Sequence, residues 1–183
     1  LIPSTISEVN KIECLLVSLG VVITIPLGLF FLITADPELI IRGMGLFVLI
    51  SGILLLSGWS YSGPKNYIAS SVAGALSGLF LGALGVPSGP IVVIYLMSGK
   101  ELIKVKRANI IIVVLVTIVV FIAALGFHNQ ISNEALSLSL ILAPTFILGS
   151  FIGKNIFQRF PISWFKYFVN FLLIVTGLAF IAI

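Results

Sequence analysis

The chain has 183 residues, 60% of them hydrophobic and only 9% charged, with a mean hydropathy of +1.28. Such a composition excludes a water-soluble globular domain. The net charge of +4 does not point to nucleic acid, because the ten basic residues are dispersed among apolar stretches and form no patch interleaved with aromatics.

In chain order, residues 1–10 read as a loop. The chain opens at Leu1 without an initiator methionine, so the sequence is read as an excerpt of a longer protein. Stretches of about 20 apolar residues, the length at which a helix crosses hydrocarbon, then predict an all-α integral membrane protein. The first span is placed at 13–33. It holds the single cysteine, Cys14, which has no partner for an intrachain disulfide, and the preceding Glu8 and Glu13 argue against a signal peptide. The second span covers 39–57. The third, 67–98, is long and interrupted by Gly82, Gly85, Pro87, Gly89 and Pro90, and is read as one broken crossing. Spans at 108–126, 135–153 and 164–183 complete about six transmembrane helices. Trp59, Tyr61, Trp164 and Tyr167 fall near span ends as interfacial anchors, and His128 reads as a solvated loop residue.

If each segment crosses once, one face carries Lys11 and Lys65. The other carries Arg42, Lys100, Lys104, Lys106, Arg107, Lys154, Arg159 and Lys166. This division of two against eight places loops 99–107 and 154–163 in the cytoplasm and 127–134 on the opposite face. The same count is taken to favour a net crossing by 67–98 over a re-entrant loop.

A repeat is expected on spacing. Gly28, Pro37, Arg42 and Gly52 in the first pair of spans correspond to Gly153, Pro161, Lys166 and Gly177 in the last pair, within one residue at each step. The matching hairpins are expected to share an orientation, which makes the unit four spans long and sets the pseudo-twofold axis along the membrane normal. Residues 1–66 then form the second half of repeat 1 and 67–183 form repeat 2. The intact protein would have eight helices, two of them upstream.

The segment SGLFLGALGVPSGPIVVIYLMSGKELIKVKRAN, Ser77 to Asn109, resembles the second-repeat signature of the TauE/SafE sulfite-exporter-like family. The matching elements are a Gly-rich stretch ending in Gly-Pro (Gly85 to Pro90), an apolar run with Tyr95 and Leu96, a basic loop from Lys100 to Lys106, and Arg107, Ala108 and Asn109. The hairpins IPLGLFFLITADPELIIRGMGL and LGSFIGKNIFQRFPISWFK also look like family segments. Pro87 and Ser88 stand where the family pattern has glycine. The resemblance implies a secondary transporter of a small anion, such as sulfite, a sulfonate or a related sulfur-containing or organic anion, in the plasma membrane.

An unwound stretch at Gly85 to Pro90 suits such a role. Irregular backbone at membrane depth is tolerated only when buried in protein or lining a cavity, and a half-helix starting near Pro90 aims its unpaired amides and positive dipole end at the break. Candidate substrate-binding residues are Gly85, Ser88, Gly89, Pro90, Asn109 and Arg107. The competing reading of the glycines is close helix packing, and that of Asn109 is interhelical hydrogen bonding. For Lys104, Lys106 and Arg107 the competing reading is orientation and lipid contact. No carboxylate is placed deep in a span, so proton coupling would reside upstream or be absent, with voltage as the drive.

No enzymatic constellation, metal site or cofactor motif is found in the sequence, so an enzyme is not expected. The expected partners are a small anionic substrate and the lipid bilayer, with no nucleic acid, and a homo-oligomer is compatible. The alternative function is a non-transporting membrane scaffold, which would lack a central polar cavity ending at Ser88 and Gly89.

Overall fold

The computed structural model describes residues 10–86, 89–99, 101–159 and 162–182. Its helices are α1 (Lys11–Thr34), α2 (Pro37–Ser57), α3 (Tyr67–Leu84), α4 (Gly89–Met97), α5 (Ile103–Phe127), α6 (Asn133–Arg159) and α7 (Ile162–Ala182), with no strand among the described residues. Five of them, α1, α2, α3, α5 and α6, contain stretches long and apolar enough to cross a membrane, and α7 has the length for it at 21 residues. The protein is therefore an all-helical integral membrane protein, with the expected break between α3 and α4.

Hydrocarbon offers no hydrogen bonds, so free helix ends must find partners within the chain. Asn10, Asp36 and Asn66 cap α1, α2 and α3 by accepting the amides of Glu13, Glu38 and Ala69 at 3.4, 3.0 and 2.8 Å. Gly58 and Gly85 close α2 and α3 in the left-handed region, at φ of 66° and 65°.

The tightest contact joins α1 to α3. Gly74, Gly78 and Gly82, four residues apart on one face of α3, lie against Val17, Val21 and Ile25 on α1. A Cβ at any of the three would overlap α1 backbone, so the helices approach as closely as small residues allow. Thr24 adds a bridge, its hydroxyl donating to the carbonyls of Gly20 and Ala75 at 2.9 and 2.8 Å. Because both series rise together, α1 and α3 are parallel. The helix α5 runs the same way, with Asn109 beside Glu13 and Ala124 packed with Val21, Ile25 and Leu29.

Residues 67–98 do not make the single broken crossing expected from hydropathy. The Tyr95 hydroxyl lies 2.7 Å from Ser70 Oγ in the first turn of α3, and Glu101 meets Lys65 at 3.3 Å. The segment thus enters and leaves at the same end of the bundle, as a hairpin. At 18 residues α3 is about 27 Å long and nearly spans the hydrocarbon alone, whereas the nine residues of α4 return only partway. Hydropathy registers apolar length and not direction.

With the hairpin in place, Lys11, Lys65, Lys104, Lys106 and Arg107 share one end with Lys154 and Arg159 of α6 and Lys166 of α7. Arg42 is the basic residue at the other end among those described. The charge asymmetry is thus steeper than a net crossing would give, so the count that was taken to favour a crossing supports the hairpin.

The helices α2 and α7 pack antiparallel: Gly45 meets Phe180 and Ile181, Gly52 meets Leu173, and Gly177 meets Leu49. The α1–α2 and α6–α7 hairpins therefore have opposite orientations, and the expected axis along the membrane normal does not hold. The reason is again the hairpin, which removes one crossing between them. The described side chains of α6, from Asn133 to Gly153, are exposed throughout.

Candidate functional site

Geometry places the break well inside the bundle. From Ser70 to Leu84 α3 rises about 21 Å, while α4 covers about 9 Å from Gly89 to Tyr95. With Ser70 and Tyr95 side by side, α4 starts roughly 12 Å below the level at which α3 ends. The first amides of α4, near Gly89, thus lack intrahelical partners at membrane depth and carry the positive end of the helix dipole. Gly85 donates its amide to the Leu81 carbonyl at 2.8 Å as it ends α3. Pro87 and Ser88 lie outside the described residues.

Beside Pro90 lies a cavity of about 520 Å³ with Phe31, Phe47, Phe80, Leu84 and Ile91 among its walls. Ser51 brings the one side-chain hydroxyl of that lining. The cavity next to the break is thus apolar among the described residues, and a polar cavity opens at another place.

It lies at the C-terminal end of α4. Glu13, 6% exposed, accepts from Asn109 Nδ2 at 3.0 Å through Oε2. Its Oε1 stands 2.8 Å from Lys65 Nζ, an ion-pair contact that lies outside hydrogen-bonding angles. The Lys65 ammonium also donates to Glu101 Oε2 at 3.3 Å and to the Leu96 carbonyl at 3.5 Å, and stands 5.6 Å from the centre of the Tyr95 ring. Asn109 Oδ1 accepts the Asn10 amide at 3.0 Å. A cavity of about 430 Å³ opens here, lined in part by Asn10, Glu13, Lys65, Asn66, Ser70 and Glu101.

Burying a carboxylate such as Glu13 without a partner costs several kcal/mol, and Lys65 offsets that cost. Burial pushes the Glu101 carboxyl up, but its own backbone amide, Lys65 and Lys106 outweigh this and hold it below the ordinary glutamate range.

Two lysines also cover the C-terminal carbonyls of α4. Lys106 Nζ donates to the carbonyls of Met97 and Gly99, each at 2.9 Å, and Lys65 reaches Leu96. A cation near the start of α5 opposes that helix's own dipole, and the placement of Lys106 is explained by the negative end of the half-helix it faces.

Of the six residues singled out from sequence, Ser88 lies outside the described residues and the other five are not brought together. Gly85, Gly89 and Pro90 flank the break, whereas Asn109 is buried in the polar cluster with its amide engaged by Glu13 and Asn10. Arg107 is exposed in the first turns of α5 and pairs with no group among the described residues. Glu13, Lys65, Glu101, Ser70 and Tyr95 were missed. Glu13 is buried without lying deep in a span: the Asn10 cap starts α1 before it and draws it into the first turn.

A bundle holding a helix that starts at membrane depth, beside a hairpin returning to its own side, has the build of a membrane transporter. The family model described as Sulfite exporter TauE/SafE matches residues 5–180. The chain belongs to this family, one of transporters and not of enzymes. No curated protein and no solved structure matches it.

Proposed function

We propose that the protein is a secondary transporter that exports a small anion, sulfite, a sulfonate or a related sulfur-containing or organic anion, across the plasma membrane. The observation that carries this reading is the start of α4 inside the bundle, where unpaired amides suit an anion. Gly85, Ser88, Gly89 and Pro90 are assigned to the substrate path and Arg107 to its basic mouth, while Asn109 serves by holding Glu13. The end rich in Lys and Arg faces the cytoplasm, with 99–107 and 154–163 on that side and 127–134 opposite. Export of a monovalent anion from an inside-negative cell is downhill by about 2.3 kcal/mol per 100 mV.

The apolar lining beside Pro90 favours a second reading, a non-transporting scaffold, and flux separates the two. In proteoliposomes, wild type should carry sulfite or a sulfonate. Gly89→Leu should lose at least about tenfold in rate while inserting normally, because leucine fills the space at the amides yet is favourable in hydrocarbon. Absence of flux across a panel of anions refutes transport, and an unchanged rate in Gly89→Leu refutes the site.

A further inference from the structure

We infer that Lys65 is a second anion site, at the basic end, where an oxyanion replaces Glu13 as its partner and Glu13 takes up a proton, so that one proton accompanies each anion bound. The inference rests on the reading of the protein as an anion transporter. Its basis is an asymmetry between the two carboxylates that hold the ammonium. The Glu101 side chain is 29% exposed and can turn to water when displaced, whereas that of Glu13 is 6% exposed and cannot. A buried carboxylate that loses its cation neutralises by binding a proton rather than staying charged.

The cavity at Lys65 is large enough for the exchange, its volume being many times the roughly 30 Å³ share of a water molecule. Its walls offer the Ser70 hydroxyl and the Asn10 and Asn66 side chains to an oxyanion. No covalent step is involved: a proton from solvent moves to the Glu13 carboxylate, and the anion takes its place at the ammonium. The groups around Glu13 are Lys65 from the loop before α3, Glu101 from the α4–α5 linker, and Tyr95 from α4 beneath the Lys65 ammonium. From α5 come Asn109 and, across the end of α4, Lys106; α1 itself contributes Lys11 and Cys14, whose Sγ lies 3.9 Å from the Asn109 carbonyl.

The test is calorimetric binding of methanesulfonate, which stays singly charged throughout, to the whole chain in nanodiscs between pH 5.5 and 8. Wild-type affinity should rise as pH falls, by up to about tenfold per unit, the slope of one linked proton. Glu13→Gln, which keeps an acceptor for Asn109, should bind without pH dependence. Lys65→Met should lose at least about tenfold in affinity, and Lys65→Arg, which preserves the charge if methionine unfolds the site, should retain binding. A pH-independent wild type, a Glu13→Gln variant that keeps the slope, or unimpaired binding by folded Lys65→Met each overturns the inference. A wild type that carries anions across liposomes yet binds without pH dependence overturns this inference alone, leaving the transport reading intact.

Discussion

The two ends of α4 differ in kind. Its N-terminal end, at Gly89 and Pro90, sits beside an apolar cavity, with first amides that no intrahelical carbonyl can reach and one side-chain hydroxyl in the lining. Its C-terminal end is held by two lysines, paired hydroxyls and a buried carboxylate. A half-helix anchored firmly at one end can keep the other end chemically open. The anchoring charges lie in short connecting segments and first helical turns, close to solvent, where ion pairs cost less to bury than at mid-membrane.

The largest disruption of this contrast should come from the seam that places both ends. Gly78→Leu forces a side chain into the Val21 carbonyl and should cost about 3 kcal/mol or more, read as loss of folded protein in thermal unfolding. Gly149→Leu is the control: nothing lies within 4 Å of a Cβ there, and stability should not change. A smaller effect is expected at the anchored end. Lys106→Met removes the bonds to the Met97 and Gly99 carbonyls at the end of α4 and should cost about 1 kcal/mol, with faster amide exchange confined to 95–99. Protection unchanged there would mean that the lysine does not hold the helix.

Tyr95→Phe should cost about 0.5–1.5 kcal/mol, and a double-mutant cycle with Ser70→Ala should show coupling, since the two hydroxyls face each other at 2.7 Å. The smallest effect is that of pH on Glu101, a partly exposed group. Its folded-state pKa is depressed, so its stabilising contribution is present above the unfolded-state value and fades as pH falls through the folded one. Wild type and Glu101→Gln should therefore differ in stability at neutral pH and converge in acid below the ordinary glutamate range.

Much of this architecture was legible in the sequence. Apolar runs gave the helices, and Gly85 through Pro90 marked the break because those residue types cannot continue a helix in lipid without a partner. The Ser77 to Asn109 segment pointed to the family. The sense of the third segment was not legible, since a crossing and a returning hairpin have the same hydropathy. That one error moved Glu101 and Asn109 to the wrong end, away from Lys65 and Glu13, and so concealed the polar cluster. A pairing of opposite charges flanking 67–98, Lys65 before and Glu101 after, was the available signal.

The hairpin also changes a parity. From α3 to α7 the chain makes three crossings instead of four, since α3 and α4 together make none and α5, α6 and α7 make one each. A tandem copy of a unit with an odd number of crossings is inserted upside down relative to the first. If the glycine and proline spacings shared by the α1–α2 and α6–α7 hairpins mark such a copy, the symmetry axis lies in the plane of the membrane. The contact between α2 and α7 has that form: Gly52 receives Leu173, and Gly177 receives Leu49, the residues 124 or 125 positions apart exchanging roles. Halves related in this way can interchange their conformations, and the interchange alone turns a protein open to one side into the same protein open to the other.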